Sequence, residues 1–432
     1  MEHTLTIKKV IAGGKGLGVL ADGMVVMVPG VLPGETVSVH ETKTHRGFKE
    51  ARLVRVVEAS PERVVPPCPY YGLCGGCDLQ HTAYPAQLAI KGQILREALE
   101  RAHLKLPPND PAPTLPSPLP FGYRSRLRLH LDQAGRLGFH QIASNAVVPI
   151  RHCLLAVEPI NRLIGTLIDR GWPARLREQI AAVELIHSPA DDRVILVLQP
   201  RSGPGVPLPP GLLAQLRSLA DEVVLQTKKS GRAPTLESAA TLAQDFALRA
   251  QGYRLNWDHR CFFQVNSQQT PRMVQLVLDL LPRQTEPATA LDLFCGMGTF
   301  SIPLGLGGAA VTGVEHNRQS IHWAGHNSRA NGLAELRFLA AGVEQQLQAL
   351  VARKARFDCV LFDPPRQGLG KAAALLPLLE PERMISISCD PATLARDLAL
   401  ISKGGYRLTR IIPVDMFPQT HHIESVALLE RN

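Results

Sequence analysis

The chain has 432 residues, 45% of them hydrophobic and 20% charged, and a net charge of +9. That balance fits a folded protein of several domains and excludes a disordered or fibrous one. No apolar run approaches the roughly 20 residues that cross a bilayer, and the opening MEHTLTIKKV lacks the charged-then-apolar layout of a secretory leader. A cytoplasmic protein with no membrane partner is therefore expected.

Residues 1–60 carry five short strand-like runs, TLTIKKVIA, GLGVLA, MVVMVPG, ETVSVHETK and EARLVRVVE, broken by GGKG, DG and PG. Turn residues at that spacing predict five strands, and so many in so little chain suit a small barrel of the OB type, a fold used on single-stranded nucleic acid. The segment resembles a TRAM domain, which implies RNA binding. Basic residues recur in HRGFKEARLVR (45–55) and YRSRLRLHL (123–131), where strand alternation would gather them on one face. A cationic surface for a polyanion is one reading of the charge excess, and plain solubility is the other.

Three of the eight cysteines fall within CPYYGLCGGCDLQH (68–81), a density that reads as a metal or cluster site. Cys68, Cys74 and Cys77 have C-x5-C-x2-C spacing, and Cys153 in RHCLL is a plausible fourth thiolate. Four soft ligands suit zinc or an iron–sulfur cluster, although a zinc ribbon would more often show two C-x2-C pairs. Cys261, Cys295 and Cys359 read as packed residues, and disulfides are not expected in a cytosolic chain. A helix follows from Pro85 to Ala102, then a proline-rich connector, 106–120. Residues 121–255 mix strand-like RLRLHLD, RLGFH, VELIHS, RVILVLQ and EVVLQT with helical EPINRLIGTLIDRG.

From residue 288 the pattern becomes regular. ALDLFC, AVTGVE, LRFLAA, CVLFDPP and MISISCD alternate with helix-length segments, which predicts a parallel sheet covered on both faces. RLTRIIPVDMF and ESVALLE, with a short loop between them, predict an antiparallel hairpin. Seven such strands resemble the Rossmann-like methyltransferase fold. The expected class is α/β: a barrel over 1–60, a central α+β domain with the cysteine site over 61–255, and a Rossmann-like domain over 256–432.

In LDLFCGMGTF (291–300), Gly296 and Gly298 let the backbone pass close to a ligand at the end of a strand. Glu315, about 20 residues on in VTGVEHN, stands where a carboxylate accepts the hydroxyls of a ribose. Together they point to an adenosine-containing cofactor, or to a plain βαβ turn with an exposed Glu. Asp363, in FDPPR, and Phe294 would suit a sulfonium cation; Asp363 would equally serve as a turn residue. Cys389 ends the fifth strand just before Asp390 and Pro391 open a helix, where a helix N-terminus favours the thiolate. Glu424 begins the last strand, as a general base or one more strand-edge carboxylate.

The blocks FFQVN (262–266), LDLFCGMGTF, VTGVEHN, DPPRQG (363–368), SCDPATLARD (388–397) and FPQTHHIESV (417–426) resemble, in order and spacing, the RNA 5-methyluridine methyltransferase family. The resemblance implies transfer of a methyl group from S-adenosylmethionine to carbon 5 of a uridine, with Cys389 as nucleophile and Glu424 as base. It places Gln264, Phe294, Glu315 and Asp363 around the donor. The chemistry explains the pair: carbon 5 of uracil attacks a sulfonium methyl only after a thiolate adds to carbon 6, and a base must then remove the carbon 5 proton. The cysteine spacing resembles that of the ribosomal members, which implies a four-iron four-sulfur cluster on Cys68, Cys74, Cys77 and Cys153. Barrel and cluster together imply 23S ribosomal RNA as the partner, with transfer RNA as the alternative, and a monomeric enzyme. The sequence departs from the family at Asp390 and Thr299, where Asn is frequent, and at Gly342, where a polar adenine contact is frequent.

Three rivals are set against this reading. A radical enzyme would need C-x3-C-x2-C, and an amino-group methylase an aromatic residue after Asp-Pro-Pro, where this chain has Arg366. A catalytically silent RNA-binding factor has no use for Cys389 and Glu424 together.

Overall fold

The computed structural model describes residues 2–201, 210–226, 241–248, 251–281 and 288–432. Strands β1 (Glu2–Val10), β2 (Lys15–Val19), β3 (Val25–Pro29), β4 (Thr36–Thr44) and β5 (Phe48–Glu58) close into a barrel of order β1-β2-β3-β5-β4. Alternate residues turn inward, and Leu5, Ile7, Val26, Val28, Val37 and Val39 form its core, the period of two that pleated strands impose. The alternation expected for 45–55 is interrupted, because β5 shifts register against β4 and leaves both Arg52 and Arg55 exposed. Lys49 is paired with Glu41 at 2.8 Å, which trims the cationic surface.

Helix α1 (Tyr84–Arg101) joins barrel to catalytic unit. Its Ile90 and Ile94 pack on Val10 and Leu32 of the barrel. Its Leu95 and Leu99 enter the apolar cluster of the C-terminal sheet.

The central sheet contains β6 (Arg126–Leu131), β7 (Leu137–His140), β8 (Val147–Pro149), β9 (Ile180–Ser188), β10 (Arg193–Pro200) and β11 (Glu222–Leu225), in the order β11-β10-β9-β6-β7-β8. Thr227, the last residue of the EVVLQT run, lies outside the described residues. Helices α2 (Glu158–Asp169), α3 (Trp172–Leu176) and α4 (Pro210–Leu216) belong to this unit. Val194, Leu196 and Leu198 face the cluster that holds α2, whereas Ile195 and Val197 face the C-terminal unit. Successive side chains of one strand thus bind two layers together.

Strands β12 (Thr241–Ala247) and β13 (Gly252–Asp258) form a hairpin. The junction expected at residue 255 falls inside β13, because Leu255 and Trp257 pack with Met273, Val311 and Ile385. The hairpin is therefore part of the catalytic unit's packing.

The C-terminal unit alternates α5 (Gln269–Asp279), β14 (Thr289–Leu293), α6 (Ser301–Leu306), β15 (Ala310–Glu315), α7 (Arg318–Ala330), β16 (Arg337–Ala340), α8 (Val343–Ala352), β17 (Cys359–Phe362), β18 (Arg383–Ser388), α9 (Pro391–Ser402), β19 (Tyr406–Val414) and β20 (Glu424–Arg431). The sheet order is β16-β15-β14-β17-β18-β20-β19, parallel except for β20 against both of its neighbours. The proline-rich connector runs along the outer strand: Ala112 N–H donates to Ile411 O and Leu115 N–H to Pro413 O, at 3.0 and 2.8 Å. An exposed edge is thereby covered. No helix among the described residues is long and apolar enough to cross a membrane.

Candidate active site

The topology puts the sequence-predicted residues on one edge of the sheet. Glu315 closes β15, Phe294 follows β14, Asp363 follows β17 and Cys389 follows β18. Because β20 runs the other way, its first residue, Glu424, joins the same edge. The ladder pairs Ser388 with Ser425, so the next step sets Cys389 opposite Glu424, with side chains on a shared face. Gln264 lies in a segment tied to this edge at both ends. Arg260 O accepts from Asn317 Nδ2 at 3.5 Å, and Asn266 Nδ2 donates to Met416 O at 3.2 Å.

The turn after β14 is shaped for close approach. Phe294 has φ +62°, a left-handed conformation that side chains adopt at a cost. Gly296 has φ +53° and open space where a Cβ would stand. Below the turn Asp292 is fully buried; Ser301 Oγ donates to its Oδ2 at 2.5 Å, and its Oδ1 has no partner among the described residues. Burial, together with the charges of Asp363 and Glu315, lifts the Asp292 carboxyl to about 7. Burial lifts Asp363 to about 7 as well. Glu315 accepts the Asn317 N–H at 2.8 Å, which fixes its carboxylate at the strand end. Asp292, Glu315 and Asp363 thus bring three carboxyls to one strand edge, a concentration of acid that a cationic ligand would offset.

Cys389 is half-buried at the crevice and is not sealed in the core. The expectation of a favoured thiolate is corrected. The Asp390 carboxylate turns to α9 and accepts the Ala392 and Thr393 N–H groups at 3.0 and 2.9 Å, so the helix terminus is spent on its own cap. Burial, then the charges of Glu424 and Asp363, push the thiol up to about 11. Glu424 is buried as well, and burial and Asp363 hold its carboxyl well above the usual carboxylate range.

Two participants escaped the sequence reading. Arg366 opposes the rise of both Cys389 and Glu424, and its Nη2 lies 3.5 Å from His422 Nε2. A basic residue directly after Asp-Pro-Pro was its signal. Asp292 was marked by a lone charge inside the apolar run ALDLF.

A cavity of 370 Å³ opens beside this edge and is lined by Cys68, Cys74, Cys77 and Cys153 together with Arg366 and His422. Burial raises the thiols of Cys74, Cys77 and Cys153, and the thiols lie near enough to raise one another; Cys77 reaches about 12. No three His, Cys, Asp or Glu side chains among the described residues close on one ion. Four thiols lining one cavity are the soft donor set that either zinc or an iron–sulfur cluster takes.

Comparison with known proteins agrees with the geometry. The family model for tRNA (uracil-5-)-methyltransferases matches residues 122–432. The chain is 36% identical to the 23S rRNA (uracil(1939)-C(5))-methyltransferase RlmD of Shewanella amazonensis, over 94% of this chain and 91% of that one. It is likewise 36% identical to the RlmD of Acidithiobacillus ferrooxidans, over 97% and 95%. The crystal structure of the Pyrococcus abyssi tRNA (uracil-54, C5)-methyltransferase in complex with S-adenosyl-L-homocysteine superposes with a TM-score of 0.72 at 24% identity, over 99% of this chain and all of that one. That superposition establishes the shared fold. With the match spanning most of its length and the strand-edge residues in place, the chain belongs to the tRNA (uracil-5-)-methyltransferase family.

Proposed function

We propose that the chain transfers the methyl group of S-adenosylmethionine to carbon 5 of a uridine in 23S ribosomal RNA through a transient bond from Cys389 to carbon 6. The observation that supports this reading is the register of β18 against β20, whose ladder ends at Ser388 and Ser425, the neighbours of Cys389 and Glu424. In the first step the Cys389 thiol gives its proton to water, the thiolate Sγ bonds to carbon 6, and the ring electrons move to an enolate. Carbon 5 then takes the methyl group, and the carbon–sulfur bond of the donor breaks to leave a neutral thioether. Glu424 takes the proton from carbon 5, the bond to carbon 6 breaks, and the thiolate returns. Gln264, Phe294, Glu315 and Asp363 would hold the donor. Its positive charges lower the pKa of the carboxyls they face, which prepares Glu424 for its role.

Cys68, Cys74, Cys77 and Cys153 would hold a four-iron four-sulfur cluster, which would cross-link the loops around it. The barrel and the central sheet, with exposed Arg52, Arg55 and Arg128, would carry the RNA by phosphate contacts. The chemistry comes from one chain, so a monomer suffices, acting in the cytoplasm. Ribosomal RNA is preferred because relatives named for it align over nearly the whole chain. Mass mapping of 5-methyluridine in ribosomal and transfer RNA, from cells with and without the protein, tests the assignment. Loss of one 23S site supports it, and loss confined to transfer RNA refutes it.

A further inference from the structure

We propose that α1 and the cysteine loop form a clamp that positions Glu424 for the proton-removal step, with Asp78, Gln87 and Lys91 as positioning residues. The inference rests on the reading of Glu424 as the base. Glu424 is buried at the first position of β20, so its aim depends on the backbone that delivers it. That backbone, residues 415–423 between β19 and β20, is gripped from outside along its length.

Lys91 and Asp415 form an ion pair at 2.6 Å with both side chains wholly buried, and Lys91 also donates to Phe417 O at 3.0 Å. Tyr84 OH donates to the other Asp415 oxygen at 3.0 Å. Gln87 then holds Gln419 twice, accepting its N–H at 2.9 Å and donating to its side-chain oxygen at 3.0 Å. The N–H groups of Asp78 and Leu79 donate to Gln419 O at 3.2 and 3.0 Å. The Asp78 carboxylate accepts the His421 N–H at 2.7 Å and meets its ring Nδ1.

Gln419 has φ +70° and is buried. A left-handed conformation at a residue with a side chain persists only where its surroundings over-determine it, and such residues gather at functional sites. The strain sits in the short loop that ends at Glu424, and a buried ion pair fixes the start of that loop. Asp78 directly follows Cys77 and faces Gly14 of the barrel, where a Cβ would lie 3.1 Å from its carboxyl. Barrel, cysteine loop and catalytic loop therefore meet at one carboxylate.

A misplaced base should slow the last step without slowing the first. The test uses the full chain carrying its cluster, a 23S ribosomal RNA transcript and tritiated S-adenosylmethionine, and measures both formation and decay of the methylated RNA–protein adduct on denaturing gels. Gln87→Leu and Asp78→Ala are compared with Glu424→Gln. The clamp predicts that both variants accumulate adduct roughly 10-fold above wild type, while adduct formation changes less than about 2-fold. Amide exchange over residues 417–421 should also quicken. Should Gln87→Leu not fold, Asp78→Ala, at a partly exposed side chain, decides the matter alone. Formation and decay slowed together, or no accumulation where Glu424→Gln accumulates, overturns the clamp. If Glu424→Gln itself turns over normally, the base assignment is wrong and the clamp falls with it.

Discussion

At the scale of single residues the site is governed by unpaid negative charge. Asp292 and Asp363 titrate near 7 and Glu424 well above the ordinary carboxylate range, because burial withdraws each from water. A cation binds them only after they ionise, so affinity for S-adenosylmethionine should rise with pH through 7. Calorimetric titration at pH 6 and pH 8 should give roughly 10-fold weaker binding at the lower value. The thioether product lacks the sulfonium charge and should show a shallower slope; equal slopes would detach the carboxyls from the sulfonium. The linkage to stability has a fixed sign. A carboxyl raised in the folded state favours folding below its unfolded value near 4, and loses that contribution as pH rises through about 7. Stabilisation by the donor should therefore grow with pH.

At the scale of elements, much of the catalytic unit was legible. Strands β14 to β20 coincide with the apolar runs, and the glycine turn and strand-end Glu315, Asp363 and Cys389 follow from the alternation alone. The protonation of Cys389 was not legible. It depends on which group occupies the start of α9, and on Glu424 arriving from a strand that is distant in sequence. Asp390→Ala separates these effects. Loss of the cap should cost about 1 kcal/mol, read as a lower urea midpoint. The freed helix terminus should lower the Cys389 pKa and speed its alkylation. Unchanged alkylation with lowered stability would show that burial and the neighbouring acids alone hold the thiol.

At the scale of the whole molecule, the units expected from the sequence interlock more closely than their boundaries suggested. The connector 106–120 carries no periodicity, so its course along β19 could not be read from the chain. Nor could the partnership of Lys91 with Asp415, since each is an ordinary charge until the fold removes both from water. Lys91→Met should destabilise the protein by about 3–5 kcal/mol by leaving Asp415 charged and alone. Pairing it with Asp415→Leu should recover most of that loss in urea unfolding. If the double variant were no better than the single one, packing of the Lys91 stem, and not the ion pair, would set the cost. The same interlocking brings the cysteine cavity to Arg366 and His422, so that a fold built from separable parts ends in one catalytic edge.

The sulfur–carbon bond itself is the most direct test. RNA bearing 5-fluorouridine at the target lacks the proton that the base must remove, so the adduct cannot be released. After incubation with S-adenosylmethionine and digestion with trypsin and nuclease, mass spectrometry should find the methylated nucleotide on peptide 384–396, MISISCDPATLAR, and none on Cys389→Ala. Methylation of the natural RNA with no adduct on that peptide, or with the nucleotide on another residue, would contradict the account.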